Sequence, residues 1–251
     1  MALKRIMPCL LFDGKGLVKT VRFKNPSYIG DPINAIKIFN EKEVDELILI
    51  DINASKEKRK IDISKIAGFA GECFMPFAYG GGVKTVSEFY ELYKNGVEKV
   101  IVNSLIHEDP DVIKEAVSKY GSQAVVGCID VKKNILGKKT VYAYSGRSIK
   151  YSPIELVKYM EEVLGIGELF LYSVDNEGTW EGFDFDFIAQ ITAVSKLPVI
   201  VCGGAGTNEH LKKVLYENNA NAAAIGSMSV YSKKGMGVLI NFPKRTDVIE
   251  E

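Results

Sequence analysis

The sequence predicts an α/β chain closed into one (β/α)8 barrel, a TIM barrel, and three observations carry that prediction. Short β-rich apolar runs alternate with helical patterns along the whole chain, which calls for a parallel sheet with helices packed on it. Similar segments recur about half a chain apart, which favours a sheet that closes on itself. The 251 residues suit one such barrel, and no Ser-, Pro- or Gly-rich linker divides them.

Taken in order, the strands are Ile6–Phe12, Leu47–Asp51, Phe77–Tyr79, Val100–Asn103, Ala124–Val131, Leu169–Val174, Val199–Cys202 and Ala222–Ile225. Between them lie helix start signals. Asp31-Pro32 is an N-cap followed by proline at the first helical position, with Ile33, Ile36 and Phe39 on one face. Asp109-Pro110 repeats the device ahead of Val112, Ile113 and Val117. Ser152-Pro153-Ile154-Glu155 supplies a capping box. Thr207 or Asn208 opens a helix carrying Leu211, Val214 and Leu215, and Gly96 and Gly121 stand where helices end.

The repeat is legible residue by residue. Pro76-Phe77-Ala78-Tyr79-Gly80-Gly81-Gly82 is answered by Pro198-Val199-Ile200-Val201-Cys202-Gly203-Gly204, Asp51-Ile52-Asn53 by Asp175-Asn176-Glu177, and Cys9 by Cys128. The single domain, 1–251, therefore reads as two similar (β/α)4 halves, about 1–121 and 122–235, with an atypical tail at 236–251.

Composition narrows the function. Formal net charge is zero, so no basic excess points to nucleic acid. The one dense basic run, Lys56, Lys58, Arg59 and Lys60, is either a solvated loop or a cover for an anionic ligand. No apolar stretch approaches the ~20 residues that span a bilayer, and Asp13, Gly14 and Lys15 interrupt any signal-peptide pattern. The expectation is a cytoplasmic protein with no membrane partner. Cys9, Cys128 and Cys202 lie in strand-like runs, as reduced, buried thiols do. His107 and His210 are isolated, so neither a metal site nor a cofactor is expected.

Two glycine-rich turns carry the chemistry. Gly80-Gly81-Gly82 and Gly203-Gly204-Ala205-Gly206 each follow a strand and precede a helix, where backbone N–H groups crowd an anion without a Cβ in the way. The next strand in each case ends in small polar residues, Asn103-Ser104 and Gly226-Ser227. The expected phosphate-binding residues are therefore Gly81, Gly82, Asn103 and Ser104 on one side, and Gly203, Gly204, Gly226 and Ser227 on the other. Two such cradles across the mouth suit a small molecule phosphorylated at both ends.

From Lys4 to about Tyr231 the chain resembles the HisF family, the ammonia-using synthase subunits of imidazole glycerol phosphate synthase. The resemblance rests on Lys4-Arg5-Ile6 with Cys9-Leu10, on Asp45-Glu46-Leu47 running to Asp51-Ile52-Asn53-Ala54-Ser55, and on Glu57-Lys58-Arg59-Lys60. It continues through Gly80-Gly81-Gly82, Gly121-Ser122-Gln123-Ala124, Tyr144-Ser145-Gly146, Asp175 with Gly178-Thr179, and Gly203-Gly204-Ala205-Gly206. It implies a HisH-like glutaminase docked at the bottom of the barrel and ammonia travelling through the barrel to a phosphorylated substrate at the top. It also implies two Asp residues, at the ends of the first and fifth strands, as acid and base. A charged gate at the bottom maps onto Arg5, Glu46, Lys99 and Glu168, and substrate contacts are expected from Lys19, Asp51, Ser145, Gly146 and Asp175.

One position departs from the family. The fifth-strand carboxylate is present as Asp130, but the first-strand position is Leu11, and Asp13 is the only nearby substitute. A retained gate with a lost carboxylate resembles a HisF-like branch that works with a glutaminase and a sugar amidotransferase to make acetamidino sugars of surface glycans. The tail Gly237-Val238-Leu239-Ile240-Asn241-Phe242-Pro243 resembles that branch too and stands where an amphipathic last helix is expected. The expectation is thus a lyase-type synthase subunit of a glutamine amidotransferase in acetamidino-sugar synthesis. The alternatives are a true cyclase of histidine biosynthesis and a non-catalytic scaffold that activates the glutaminase. The segment Thr20–Gly30 is read as a loop over the mouth, a candidate lid.

Overall fold

The computed structural model describes residues 3–142 and 149–249. In chain order its elements begin with β1 (Arg5–Phe12), β2 (Leu17–Val21), β3 (Lys24–Gly30), α1 (Pro32–Glu41), β4 (Leu47–Asp51), α2 (Ile63–Glu72) and β5 (Phe77–Gly80). They continue with α3 (Val86–Lys94), β6 (Lys99–Val102), α4 (Ser104–Glu108), α5 (Pro110–Tyr120), β7 (Val125–Lys133) and β8 (Lys139–Val141). The last are α6 (Pro153–Tyr159), β9 (Glu168–Ser173), α7 (Phe185–Val194), β10 (Val199–Cys202), α8 (Asn208–Lys212), β11 (Ala222–Ile225) and α9 (Ser227–Val230).

The sheet closes. Parallel pairing runs β1, β4, β5, β6, β7, β9, β10, β11, and β11 returns to β1 with Arg5 opposite Ala222 and Pro8 opposite Ile225. The alternation of side chains along each strand divides the apolar residues into two shells. In β1, Met7, Cys9 and Leu11 face the bore, while Ile6, Leu10 and Phe12 pack outward against the helices. Three positions of the inner shell carry only a methyl group, Ala78, Ala222 and Ala224. Cys9, Cys128 and Cys202 are buried free thiols of this inner shell.

Local signals behave as expected with four exceptions. The Asp31 carboxylate accepts from Asn34 N at 3.0 Å, Ser152 and Glu155 form a capping box, and it is Thr207 that caps α8 by accepting from His210 N at 3.3 Å. The Asp109 side chain, by contrast, makes no cap hydrogen bond, although α5 does begin at Pro110. Strand limits shift by a residue or two, so that Arg5, Lys99 and Glu168 become the first residues of β1, β6 and β9. Thr20–Gly30 is not a loop but most of the β2–β3 hairpin, turned by Arg22 and Phe23 at φ 55° and 58°. Neither residue announces a turn with two positive φ angles, which Asn-Gly would have done. The fifth barrel strand runs past Val131 to Lys133 and folds back as β8.

No α-helix replaces the expected last one: a 3-10 turn at Arg245–Asp247 is the only helical element in described residues 236–249. Instead this segment lies extended over the first helix. Phe242 meets Phe39 edge-on with ring centroids 6.2 Å apart, Val248 is buried, and Arg245 pairs with Asp45. Among the described residues no helix is long and apolar enough to cross a membrane.

Candidate active site at the barrel mouth

A cavity of about 250 Å³ opens at the C-terminal ends of the strands. It reaches down to Ile101 and Phe170 of the inner shell and up to the first glycine turn. Asp130 stands on its wall, near the end of β7. Cys128 Sγ donates to Asp130 Oδ1 at 3.6 Å and in turn accepts from Asn103 Nδ2 at 3.6 Å. Burial among apolar neighbours pushes the Asp130 carboxyl up to about 7, and the contacts from Cys128 and Asn103 only partly oppose that rise. A carboxyl so placed can take or give a proton near neutral pH. The nearby thiol of Cys128 and phenol of Tyr172 are driven well above their ordinary values by burial and stay protonated.

Leu11 shares the cavity wall, 2% exposed and paired in the sheet with Val18 and Ile50. Asp13 does not reach the cavity. It lies beyond β1, where its Oδ1 accepts from Lys15 N at 2.8 Å and Gly16 N at 2.9 Å and shapes the turn into β2. The one substitute carboxylate in the sequence is therefore spent on a turn.

The four residues expected at the first cradle, Gly81, Gly82, Asn103 and Ser104, line this cavity together. The four of the second, Gly203, Gly204, Gly226 and Ser227, line a separate pocket of about 10 Å³. The Lys19 ammonium lies against Gly226 in that small pocket, with Glu177 Oε1 at 3.8 Å. Lys19 is thus a charge already aimed at the second cradle, loosely tethered by a carboxylate that sequence reasoning did not single out. Glu177 is held by the β2–β3 hairpin, through Thr20 Oγ1 at 2.9 Å and Phe23 N at 3.1 Å.

The glycines themselves have a reason besides anion approach. A Cβ on Gly81 would collide with the Asp51 carbonyl, and one on Gly203 with the Ser173 carbonyl. Both also sit at positive φ, 112° and 103°. A bulky residue at Gly81 is therefore a defect of the fold first, and no clean probe of ligand binding.

The other expected contacts separate. Asp51 lines the cavity, but Arg59 Nη2 binds both of its oxygens at 2.9 Å, so Arg59 of the basic run ties the β4–α2 loop to the end of β4. Asp175 lines neither pocket; its carboxylate accepts from Lys133 N at 2.7 Å. Ser145 and Gly146 lie outside the described residues. His107, which the sequence leaves isolated, lines the mouth.

At the opposite end of the barrel the four gate residues meet in a closed ring of alternating charge. Arg5 bridges Glu46, at 2.8 Å, and Glu168. Lys99 bridges the same two carboxylates at 2.9 Å each. Both carboxylates are nearly inaccessible, at 3% and 5% exposure. Desolvation raises the Glu46 pKa, against the pull of Lys99 and Arg5, and its Oε1 has no hydrogen-bond partner. The ring caps the bore from below, as the mouth cavity opens it above.

Comparison with known proteins agrees with this architecture. A family described as Histidine biosynthesis protein matches residues 5–235. A Pseudomonas aeruginosa protein named, provisionally, imidazole glycerol phosphate synthase subunit hisF2 is 46% identical over 244 residues, covering 97% of each chain. A Vibrio vulnificus protein with the equally provisional name of subunit hisF3 is 40% identical over 245 residues, 97% of this chain and 94% of that one. Imidazole glycerol phosphate synthase subunit HisF of Streptococcus mutans is 36% identical over 232 residues, 92% of each chain.

Proposed function

The chain belongs to the histidine biosynthesis protein family and is HisF-like, and from that premise we propose that it receives ammonia from a glutaminase and delivers it to an acceptor at the mouth in acetamidino-sugar synthesis. The observation that carries this reading is the pairing of an intact charged ring below the bore with an apolar Leu11 where a proton carrier is expected above it. The ring supports ammonia entry from a HisH-like partner at the N-terminal face. Leu11 argues against the two-carboxylate cyclisation, because a leucine moves no proton. Amidine formation needs the acetamido oxygen first activated, with a nucleoside triphosphate as co-substrate of the amidotransferase, so that it departs with the activating group as ammonia adds to the carbon. The incoming nitrogen then sheds a proton to one base, and Asp130 supplies a carboxyl that titrates near pH 7. The mouth would then be shared with a sugar amidotransferase that holds the acceptor.

A second reading is favoured by the relatives that carry the HisF name without qualification. In it the chain is a cyclase of histidine biosynthesis, working with Asp130 and a water. One assay separates the two. The chain and its glutaminase are supplied with amide-15N glutamine and either the ribulosyl cyclase substrate or acetamido sugar nucleotides with the amidotransferase and ATP. The expected result is 15N in an acetamidino group and little imidazole product. Imidazole glycerol phosphate formed at ordinary HisF rates would instead establish the cyclase.

A further inference from the structure

The wall of the mouth cavity carries one side chain that the proposed chemistry leaves unused. His107 is the fourth residue of α4, three after Ser104, so the two share one face of that helical turn. Both line the cavity with Gly82 and Asn103. The ring is half-buried, and among the described residues neither nitrogen is engaged in a hydrogen bond.

The remaining titratable groups on that wall are committed. Arg59 clamps Asp51, and Lys56 and Glu108 each have a partner. Cys128 and Tyr172 are held protonated by burial, and Asp130 is a carboxyl that would repel an anion once ionised. Leu11, Ile50 and Phe170 offer no polar atom. A phosphate seated at Gly82 and Ser104 therefore finds backbone and hydroxyl donors, and an uncommitted imidazole N–H within the same cavity.

We infer that His107 is part of the first anion cradle and donates a hydrogen bond to a phosphate group of the ligand bound there. This rests on the reading of Gly81, Gly82, Asn103 and Ser104 as a phosphate site. Burial lowers the His107 pKa, with Glu108 opposing, so the ring offers one N–H donor when the cavity is empty. The ligand class that fits is a phosphate monoester whose organic part lies along the apolar wall toward Asp130.

The chain has two histidines, which makes ring NMR a direct test. His210 accepts from Gly206 N at 3.2 Å and reports on the second cradle. The full-length protein is titrated with inorganic phosphate and with glycerol phosphate, and a His210→Gln variant assigns the two rings. The expected result is that the His107 ring signals and the Gly82 and Ser104 amides move with one dissociation constant. His107→Leu should weaken phosphate roughly tenfold, as loss of a hydrogen bond to a charged group does, and His107→Gln, which keeps an N–H, should recover part of that loss. If the two amides move but the ring does not, and His107→Leu binds phosphate as well as the native chain, the role of His107 is overturned and the cradle stands. If neither amide responds, or only the His210 ring does, the first cradle is not a phosphate site and the inference falls with it.

Discussion

At position 11 the chain puts a side chain that holds the barrel together where a proton carrier would move a reaction forward. Leu11 packs in the inner shell, in register with Val18 and Ile50. Leu11→Asp should lower stability by roughly 1–3 kcal/mol, the cost of burying a polar group without a partner. It should also raise imidazole glycerol phosphate formation above the native chain's level, because two carboxyls would again share the mouth cavity. Thermal unfolding and a discontinuous product assay check both halves; a destabilised variant with no gain in product would mean that Leu11 is not what suppresses cyclisation. Asp130 gives a prediction with a definite pH sign. Its pKa is raised in the folded chain, to about 7 from an ordinary 3.8, so the stability it contributes is present below pH 4 and lost as the pH rises through 7. Asp130→Asn removes the ionised form. The variant should match the native stability near pH 4 and exceed it at pH 8, by on the order of 1–4 kcal/mol at most, given 1.36 kcal/mol per pKa unit, with Tm rising accordingly. The same variant should lose roughly 10²–10⁴-fold in ammonia transfer. A Tm difference that is flat with pH would place the carboxyl in water; unaltered transfer would leave the scaffold reading.

Among the elements, the tail does the work of a missing helix with an extended chain. Phe242 meets Phe39 of α1 edge-on, Val248 is buried, and Arg245 ties the segment to Asp45 and to the Lys4 carbonyl. Phe242→Ala should destabilise the barrel by about 2–3 kcal/mol, toward the low end for a large-to-small change because the ring is only partly buried. Denaturant unfolding with an unchanged m-value is the expected signature, and an unchanged midpoint would show the tail to be decoration. How much of each element was legible follows from where its signal is stored. The eight barrel strands are written in periodicity and the helix starts between them in caps such as Asp31 and Ser152, so they could be read directly. The β2–β3 hairpin could not, because Arg22 and Phe23 hold left-handed angles beside an anchor, Glu177 accepting from Phe23 N, that lies far away along the chain. Gly81 and Gly203 were legible as necessary glycines, but the carbonyls that make them so, Asp51 and Ser173, come from the preceding strand and are invisible along the chain. Arg59 was legible as a charge, though not as the clamp of Asp51.

On the scale of the molecule, the barrel joins a charged ring at one end to a titratable carboxyl at the other through a bore of apolar and small side chains. The four ring residues could be named from resemblance, Arg5, Lys99 and Glu168 opening their strands and Glu46 just preceding β4, yet their pairing depends on barrel closure, which brings residues 5, 46, 99 and 168 together. That closed geometry sets the last prediction. Lys99 joins Glu46 to Glu168 on the side opposite Arg5, and the ring has no slack, since Glu46 already holds one oxygen unpartnered. Lys99→Ala leaves two desolvated carboxylates sharing one guanidinium. The barrel should remain folded, because Arg5 still spans both acids and the ring's cations are partly solvated. The loss should therefore fall below the ~3–5 kcal/mol of a fully buried pair. What should change is the traffic: with the ring open, water and ammonia exchange at the base, and the glutaminase consumes more glutamine per molecule of product. The ratio of glutamate released to acceptor aminated should rise several-fold with glutamine as the donor. The rate of acceptor amination should stay at the native value when ammonium salt replaces glutamine. A ratio unmoved in the glutamine assay would show that ammonia does not pass the ring, and would leave these four charges as a fastening of the barrel floor alone.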